Sequence, residues 1–245
     1  MRIPRIYEPS SCIWAVGSTV TLSEDAANHV GRVLRMSAGQ SLELFNGDGN
    51  NYQATITEVH KRSVTVSLTA VAPNTSESFV HVHLAQGISR GDRMDFVLQK
   101  SVELGVTEIT PLFTERCGVK LTGERLAKKQ QQWQKIVIAA CEQSGRSYVP
   151  KVHAPITFQQ WLTQLPEGMR LTLDPYAAKP LRELAVEPKQ LTLLIGPEGG
   201  LTDLEVQSAS DHEFLPVRLG PRILRTETAA LTALSVIQYQ FGDLA

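Results

Sequence analysis

The sequence predicts an α/β protein in two parts: a small β-barrel-like domain over residues 1–72, then a parallel-sheet domain over residues 73–245. Three observations carry this. The first part holds three runs of alternating apolar and polar residues around one tight turn. A small, polar, aperiodic stretch, APNTSES at 72–78, reads as a linker. Beyond it strand-like and helix-like segments alternate to the end. One strand, Leu191-Thr-Leu-Leu-Ile195, is apolar enough to be covered on both faces.

Taken in order, Ser23 caps a helix over 24–34 that sets Ala26, Ala27, Val30, Val33 and Leu34 on one side. Strands follow at Ser41–Phe45, Tyr52–Val59 and Val64–Val71. The first two are joined by Asn46-Gly47-Asp48-Gly49-Asn50, whose Gly and Asn residues accept positive φ. In the second part strands are expected at Val80–Gln86, Val106–Phe113, Leu171–Asp174, Leu191–Ile195 and Phe214–Leu219. Helices are expected near 91–104, 123–144, 158–165, 202–210 and 226–240. Thr157-x-x-Gln160 and Thr202-x-x-Glu205 fit the capping-box pattern and fix two helix starts. The last helix, TETAALTALSVIQYQF, is apolar almost all round, so it is either central to its own domain or part of a two-fold subunit interface.

Composition narrows the function. The chain is 42% apolar and 20% charged, a globular balance rather than a disordered one. Its net charge of −1 argues against a purely electrostatic nucleic-acid binder. The charge is uneven, however: net 0 over 1–72, +2 over 73–150 and −3 over 151–245. Affinity for a polyanion must therefore come from local arrangement. Three cysteines, Cys12, Cys117 and Cys141, exclude a disulfide framework and a four-cysteine zinc site. The polar start and the lack of an apolar run near the ~18 residues of a membrane span lead to the expectation of a soluble, cytoplasmic protein. His81 and His83 lie two apart on a strand without a third ligand nearby, so no metal is expected. Cys141, beside Ala139 and Ala140, reads as a buried structural thiol.

Two loops carry the candidate chemistry. Gly196-Pro-Glu-Gly-Gly200 follows a buried strand and precedes a capped helix, and Gly220-Pro221 follows the next strand. Glycines at the carboxyl ends of strands let a ligand approach the backbone closely. Neither the dinucleotide fingerprint G-x-G-x-x-G nor a P-loop is present. The two loops would offer N–H and C=O groups to a polar, planar ligand; GPEGG is equally compatible with a structural turn. Arg225 and Glu227 sit at the entrance of the last helix. The plain alternative is that Glu227 complements the helix dipole and Arg225 is its ion-pair partner.

The segments LLIGPEGGLTDLE (193–205) and LGPRILRTETAA (219–230) resemble the cofactor-binding motifs of the SPOUT superfamily of methyltransferases. MRIPRIY (1–7), HVGRVLRM (29–36), QKSVELGV (99–106), ERCGVK (115–120) and WQKIVIAACEQSGR (133–146) narrow the resemblance to the RsmE family of 16S ribosomal RNA uridine-N3-methyltransferases. The likeness spans the chain in order and departs at Asp174-Pro175, where another polar residue would precede the proline.

The resemblance implies an S-adenosylmethionine-dependent enzyme with an N-terminal PUA-like β-barrel that binds RNA. It also implies a SPOUT-type parallel-sheet domain with a C-terminal trefoil knot, assembled as a homodimer. Threaded chains are rare enough that periodicity alone would never propose the knot. The implied cofactor contacts are Leu173, Leu194, Gly196, Pro197, Glu198, Gly199, Gly200, Leu219, Gly220, Leu224, Arg225, Thr226, Glu227, Thr228 and Ala229. The implied partner is 16S ribosomal RNA within the small ribosomal subunit.

Uridine N3 is a poor nucleophile until its proton leaves, and the resulting charge spreads to O2 and O4. Arg225 is expected to stabilise that anion and Glu227 to serve as a weaker candidate for the proton. RNA contacts are expected from Arg2, Arg5, His29, Arg32 and Arg35, extended by Arg90, Lys100, Arg116 and Lys120. The alternative for each is an ordinary solvated charge, which is also the reading of Arg125, Lys128, Lys129 and Lys135 on the 123–144 helix. Two other functions stay open: a related methyltransferase with another RNA target, and a non-catalytic RNA-binding assembly factor.

Overall fold

The structure, a computed structural model, describes residues 3–9, 14–184 and 188–244. The chain divides into two compact units, residues 1–77 with 141–149, and residues 78–140 with 150–245.

The first unit contains β1 (Arg5–Tyr7), β2 (Thr19–Thr21), α1 (Glu24–Asn28), β3 (Ser41–Phe45), β4 (Asn50–Val59) and β5 (Val64–Pro73). They form one five-stranded sheet in the order β1-β3-β4-β5-β2. Only the β1–β3 pair is parallel. Alternation along the strands buries Leu42, Leu44, Tyr52, Ile56, Val66 and Leu68 in one core with Trp14, whose ring meets that of Tyr52 edge-on at 5.0 Å. Ser23 caps α1 as expected, accepting from the Ala26 N–H at 3.4 Å. The helix over 24–34 is not uniform, however: from His29 to Val33 it opens into a π turn. The Leu34 N–H bonds the His29 carbonyl at 2.9 Å, five residues back.

The boundary is more intricate than a linker at 72–78. Ala72 and Pro73 pair with Asn51 and Asn50, so β5 runs through the first two linker residues. Residues 141–149 then return to the first unit because its polar groups need them. The Glu142 carboxylate accepts the Tyr7 N–H at 3.0 Å, and the buried Arg146 pairs with Glu77 at 2.6 Å.

The second unit alternates as predicted: β6 (His81–Gly87), α2 (Asp92–Glu103), β7 (Glu108–Phe113), α3 (Gly123–Ser144), β8 (Lys151–Val152), β9 (Ile156–Thr157), α4 (Phe158–Leu162), β10 (Met169–Leu173), β11 (Gln190–Ile195), α5 (Asp203–Asp211), β12 (Leu215–Val217) and α6 (Thr226–Phe241). The strands make one wholly parallel sheet in the order β12-β10-β11-β6-β7-β8, with β9 also on β7. A single register row, Leu215-Leu171-Leu193-Leu84-Ile109-Val152, crosses it from edge to edge. Every member except Leu215 at the edge is buried. β8 and β9, two residues each, carry too little periodicity to be read from sequence. The Thr202–Glu205 capping box closes in both directions. At Thr157 the hydroxyl accepts the Gln160 N–H at 3.3 Å and donates to the Gln160 side-chain oxygen at 2.8 Å. α6 buries Ala230, Ala233, Leu234, Ile237 and Gln238 and packs against α2, while Tyr239 stands 69% exposed.

Among the described residues no helix is long and apolar enough to cross a membrane, and no group of three or more His, Cys, Asp or Glu side chains could hold a metal ion. Cys12 lies outside the described residues. Cys141 is buried, donates to the Tyr148 carbonyl at 3.4 Å, and has its thiol pushed up to about 12 by burial. His83 lies 2.7 Å from the Thr110 hydroxyl, between the rings of His153 and Trp161. Burial pushes its pKa down from 6.5 to about 4. The unfolded chain therefore takes this proton before the folded chain does, and stability falls as pH drops from about 6.5 to about 4. Urea midpoints measured at about pH 7 and about pH 5 should show that loss, and His83→Gln should reduce it. An equal loss in both proteins would contradict the assignment.

Candidate functional site

Three loops leave the carboxyl ends of β10, β11 and β12, where parallel sheets offer their ligand crevice. The β11 loop closes with the Gly200 N–H on the Pro197 carbonyl at 2.9 Å, and Gly200 has φ of +70°, a conformation that favours glycine. The β10 loop turns through Asp174-Pro175-Tyr176-Ala177, with the Asp174 carboxylate accepting the Tyr176 N–H at 2.8 Å. The β12 loop runs to Arg225, which precedes the first turn of α6. Together they bound a cleft of about 900 Å³.

Thr226 ties the site together. It is buried; its hydroxyl donates to the Gly196 carbonyl at 2.6 Å and receives a hydrogen bond from the Gln86 amide at 3.0 Å. Gln86 is wholly buried at the end of β6 and also reaches the Gly87 carbonyl at 3.0 Å. Gly87 allows a close approach here, since a Cβ on it would lie 2.5 Å from the Pro197 nitrogen. Residues 86–87, 196–197 and 226, far apart in sequence, thus meet at one point.

The charges are also specific. Glu198 accepts the Arg90 N–H at 2.9 Å and the Arg93 guanidinium at 3.2 Å. Burial works against its ionisation, but those donors, its own N–H and the Arg93 charge hold the carboxyl below its usual value. Arg93 also lies 4.0 Å from Glu227, whose other oxygen is buried with no hydrogen-bond partner. Glu227's neighbouring cation is therefore Arg93. Arg225 is exposed, lines the cleft and makes no ion pair among the described residues, which sets aside the expectation that it pairs with Glu227.

Of the residues singled out from sequence, Leu173, Gly196, Pro197, Glu198, Gly199, Gly200, Leu219, Leu224, Arg225, Thr226, Glu227 and Ala229 line the cleft. Leu194 instead faces the apolar cluster of Ala85, Leu112, Phe158, Trp161 and Phe214. Gly220 and Thr228 lie beside lining residues without lining it themselves. Arg93, Asp174, Tyr176 and Arg222 also line it and are absent from the sequence-derived set. Arg93 had a legible signal: a cation in a helix's first turn opposes the helix dipole and needs a local anion.

The basic residues separate. Arg116 donates to the carbonyls of Gly199 and Leu201 at 3.1 and 3.2 Å, so it braces the β11 loop. The Arg90 guanidinium occupies the space a side chain on Gly118 would need. Lys100 pairs with Glu103 at 2.7 Å. Arg5 turns inward onto Glu43, Asn51 and Ser147 and is not displayed for a partner. Arg2 lies outside the described residues. Arg32 and Arg35 are exposed; His29 is half-buried, 3.8 Å from Glu142. Because His29–Val33 is a π turn, steps of three do not stack these side chains as an α-helix would.

A family model described as an RNA methyltransferase domain matches residues 76–238, and one described as an RNA methyltransferase PUA domain matches residues 22–69. The chain is 36% identical, over 100% of its length and 99% of the relative's, to the ribosomal RNA small subunit methyltransferase E of Buchnera aphidicola subsp. Schizaphis graminum. It is 33% identical to the protein of the same name from Bacillus subtilis, over 91% and 90% of the two chains. Among solved structures, a Legionella pneumophila protein in complex with the bound cofactor S-adenosylmethionine superposes with a TM-score of 0.95 and 48% identity over the whole of both chains. The ribosomal RNA small subunit methyltransferase E of Neisseria gonorrhoeae, bound to S-adenosylmethionine, gives 0.92 and 40%, again over the whole of both.

Thr226→Val should leave the Gln86 amide short of an acceptor and the Gly196 carbonyl short of a donor, costing about 1–3 kcal/mol by denaturant titration. Thr226→Ser should restore most of that. Equal stability of the Val variant would show that the hydroxyl bridge contributes nothing.

Proposed function

Because the chain belongs to the ribosomal RNA small subunit methyltransferase E family, we propose that it is an S-adenosylmethionine-dependent enzyme that methylates N3 of a uridine in 16S ribosomal RNA. The observation that carries this reading is the union of the two glycine loops on one cleft through Thr226 and the Gly196 carbonyl.

The residues present suit the cofactor. A Cβ on Gly200 would meet no protein atom within 4 Å, so main chain rather than side chain faces the open cleft there. A volume of about 900 Å³ lies in the upper range of small-molecule sites. When bound, S-adenosylmethionine supplies an electrophilic methyl group on a positively charged sulfur. The residues that would hold it are Leu173, Gly196–Gly200, Leu219, Leu224–Glu227 and Ala229, with Leu194, Gly220 and Thr228 supporting the loops.

Catalysis then rests on the chain's own side chains. Arg225, exposed and unpaired among the described residues, is the planar cation that would meet O2 and O4 of the deprotonated uracil. Glu227 lines the same cleft and is the candidate to receive the N3 proton. Glu227 stands 4.0 Å from Arg93 in the first turn of α6, and Arg225 carries the larger share of the stabilisation.

The wider assembly belongs to the same proposal. Arg32 and Arg35, exposed in the PUA-type unit, would contact RNA phosphates of the small ribosomal subunit. The incompletely covered faces of α6, with Tyr239 exposed, would pair with a second copy to form a homodimer. The loops following β10, β11 and β12 would form the trefoil knot, and the protein would work in the cytoplasm on ribosomal RNA.

Mass spectrometry of 16S ribosomal RNA from cells lacking the gene should show loss of one N3-methyluridine, restored by the unaltered chain. Arg225→Ala should lower kcat about 100-fold at saturating cofactor, with cofactor affinity measured separately, whereas unchanged turnover would refute the electrostatic role. Replacing Arg32 and Arg35 together by Ala should weaken RNA binding and reduce its log–log salt slope by about 1 per lost phosphate contact. Undiminished binding would move the RNA face elsewhere.

A further inference from the structure

Two large apolar side chains at the cleft are almost bare: Tyr176 is 84% exposed and Ile223 is 74% exposed. Single exposed hydrophobics are ordinary. These two line the same cleft, and the turn that carries Tyr176 is fixed. Pro175 sets φ at the second position of the Tyr176 turn, and the Ala177 N–H closes it on the Asp174 carbonyl at 3.1 Å. The loop of Ile223 leaves β12, the parallel neighbour of β10. Backbone bonds lace the two exits together: Asp174 N–H to the Val217 carbonyl and Arg218 N–H to the Lys179 carbonyl, each 3.0 Å.

A fixed turn that keeps a flat ring in water implies an occupant with a flat apolar face. Arg222 and Arg225 stand on the same loop as Ile223, exposed and without an ion pair among the described residues, so the occupant also carries negative charge. A planar ring joined to an anionic backbone describes an unpaired nucleotide, and RNA bases stack readily on aromatic side chains. N3 of uridine lies on the pairing edge, so an enzyme acting there needs the base unpaired and held.

We propose that Tyr176 and Ile223 form a stacking subsite for an unpaired nucleobase of the RNA substrate at the rim of the cleft. The subsite rests on the RNA methyltransferase reading above. Tyr176 acts by binding and not by chemistry, and Arg222 meets the adjoining phosphate.

The test uses the full chain, tritiated S-adenosylmethionine, and small ribosomal subunits from cells lacking the gene. Tyr176→Ala should raise KM for the subunits about ten-fold, equivalent to about 1.4 kcal/mol, with kcat changed far less. Tyr176→Trp should restore the parent value, since any broad aromatic face serves. Calorimetric affinity for S-adenosylmethionine and the sedimentation coefficient should match the parent in both variants. An unchanged KM in Tyr176→Ala overturns the subsite. A parallel loss of cofactor affinity also overturns it, because the ring would then belong to the cofactor, and a changed sedimentation coefficient would assign the rim to a second copy. Methylation by the unaltered chain separates these failures from failure of the methyltransferase reading, under which the unaltered chain itself would transfer no label.

Discussion

One buried hydroxyl holds the candidate site in register. Thr226 receives a hydrogen bond from Gln86 and gives one to the Gly196 carbonyl, so the ends of β6 and β11 and the start of α6 cannot drift apart without leaving polar groups unpaired in the interior. Such a penalty is steep because no water replaces the lost partner. The close approach at Gly87 serves the same junction sterically: a side chain there would collide with Pro197 and push the β11 loop outward. The β11 loop and the entrance of α6 are thereby held together against the end of β6, as one wall of the cleft.

The charges around that wall divide by what already occupies them. Arg116 is engaged by the carbonyls of the β11 loop, and Arg93 is shared between Glu198 and Glu227. These contacts shape the loops. Arg225 and Arg222, by contrast, are exposed without partners among the described residues, on the loop that enters α6. A guanidinium already neutralised has little left to offer a developing anion, whereas an unpaired one in a partly enclosed cleft retains most of its field. Glu227 lines the same cleft, with one oxygen 4.0 Å from Arg93 and the other buried without a hydrogen-bond partner.

In the PUA-type unit the same sorting separates scaffold from display. Arg5 belongs to an internal network with Glu43, Asn51 and Ser147. Arg32 lies in the π turn and Arg35 just beyond it, where it adopts φ of 54°, a left-handed conformation uncommon for a residue with a side chain. The Met36 N–H returning to the Val30 carbonyl at 3.0 Å stabilises that chain reversal. The turn faces both ways: Val30 is buried in the core while Arg32 and Arg35 are exposed.

Local chemistry was enough to read most of the elements and to mark the two glycine loops, while the fuller set of cleft residues came from the family resemblance. Alternation in Ser41–Phe45, unbroken apolarity in Leu191–Ile195, the caps at Ser23 and Thr202, and glycines at strand ends are written in neighbouring residues, because they reflect dihedral preference and the covering of a sheet's faces. What stayed hidden depended on contacts across long sequence separations. No local pattern says that Gln86 meets Thr226, that Arg93 and not Arg225 stands beside Glu227, or that residues 141–149 return to the first unit. The facing of Leu194 into the core and of Tyr176 into solvent was equally illegible. A side chain's periodicity fixes the face of its own element, but its partner is fixed by which other elements the folded chain sets against that face.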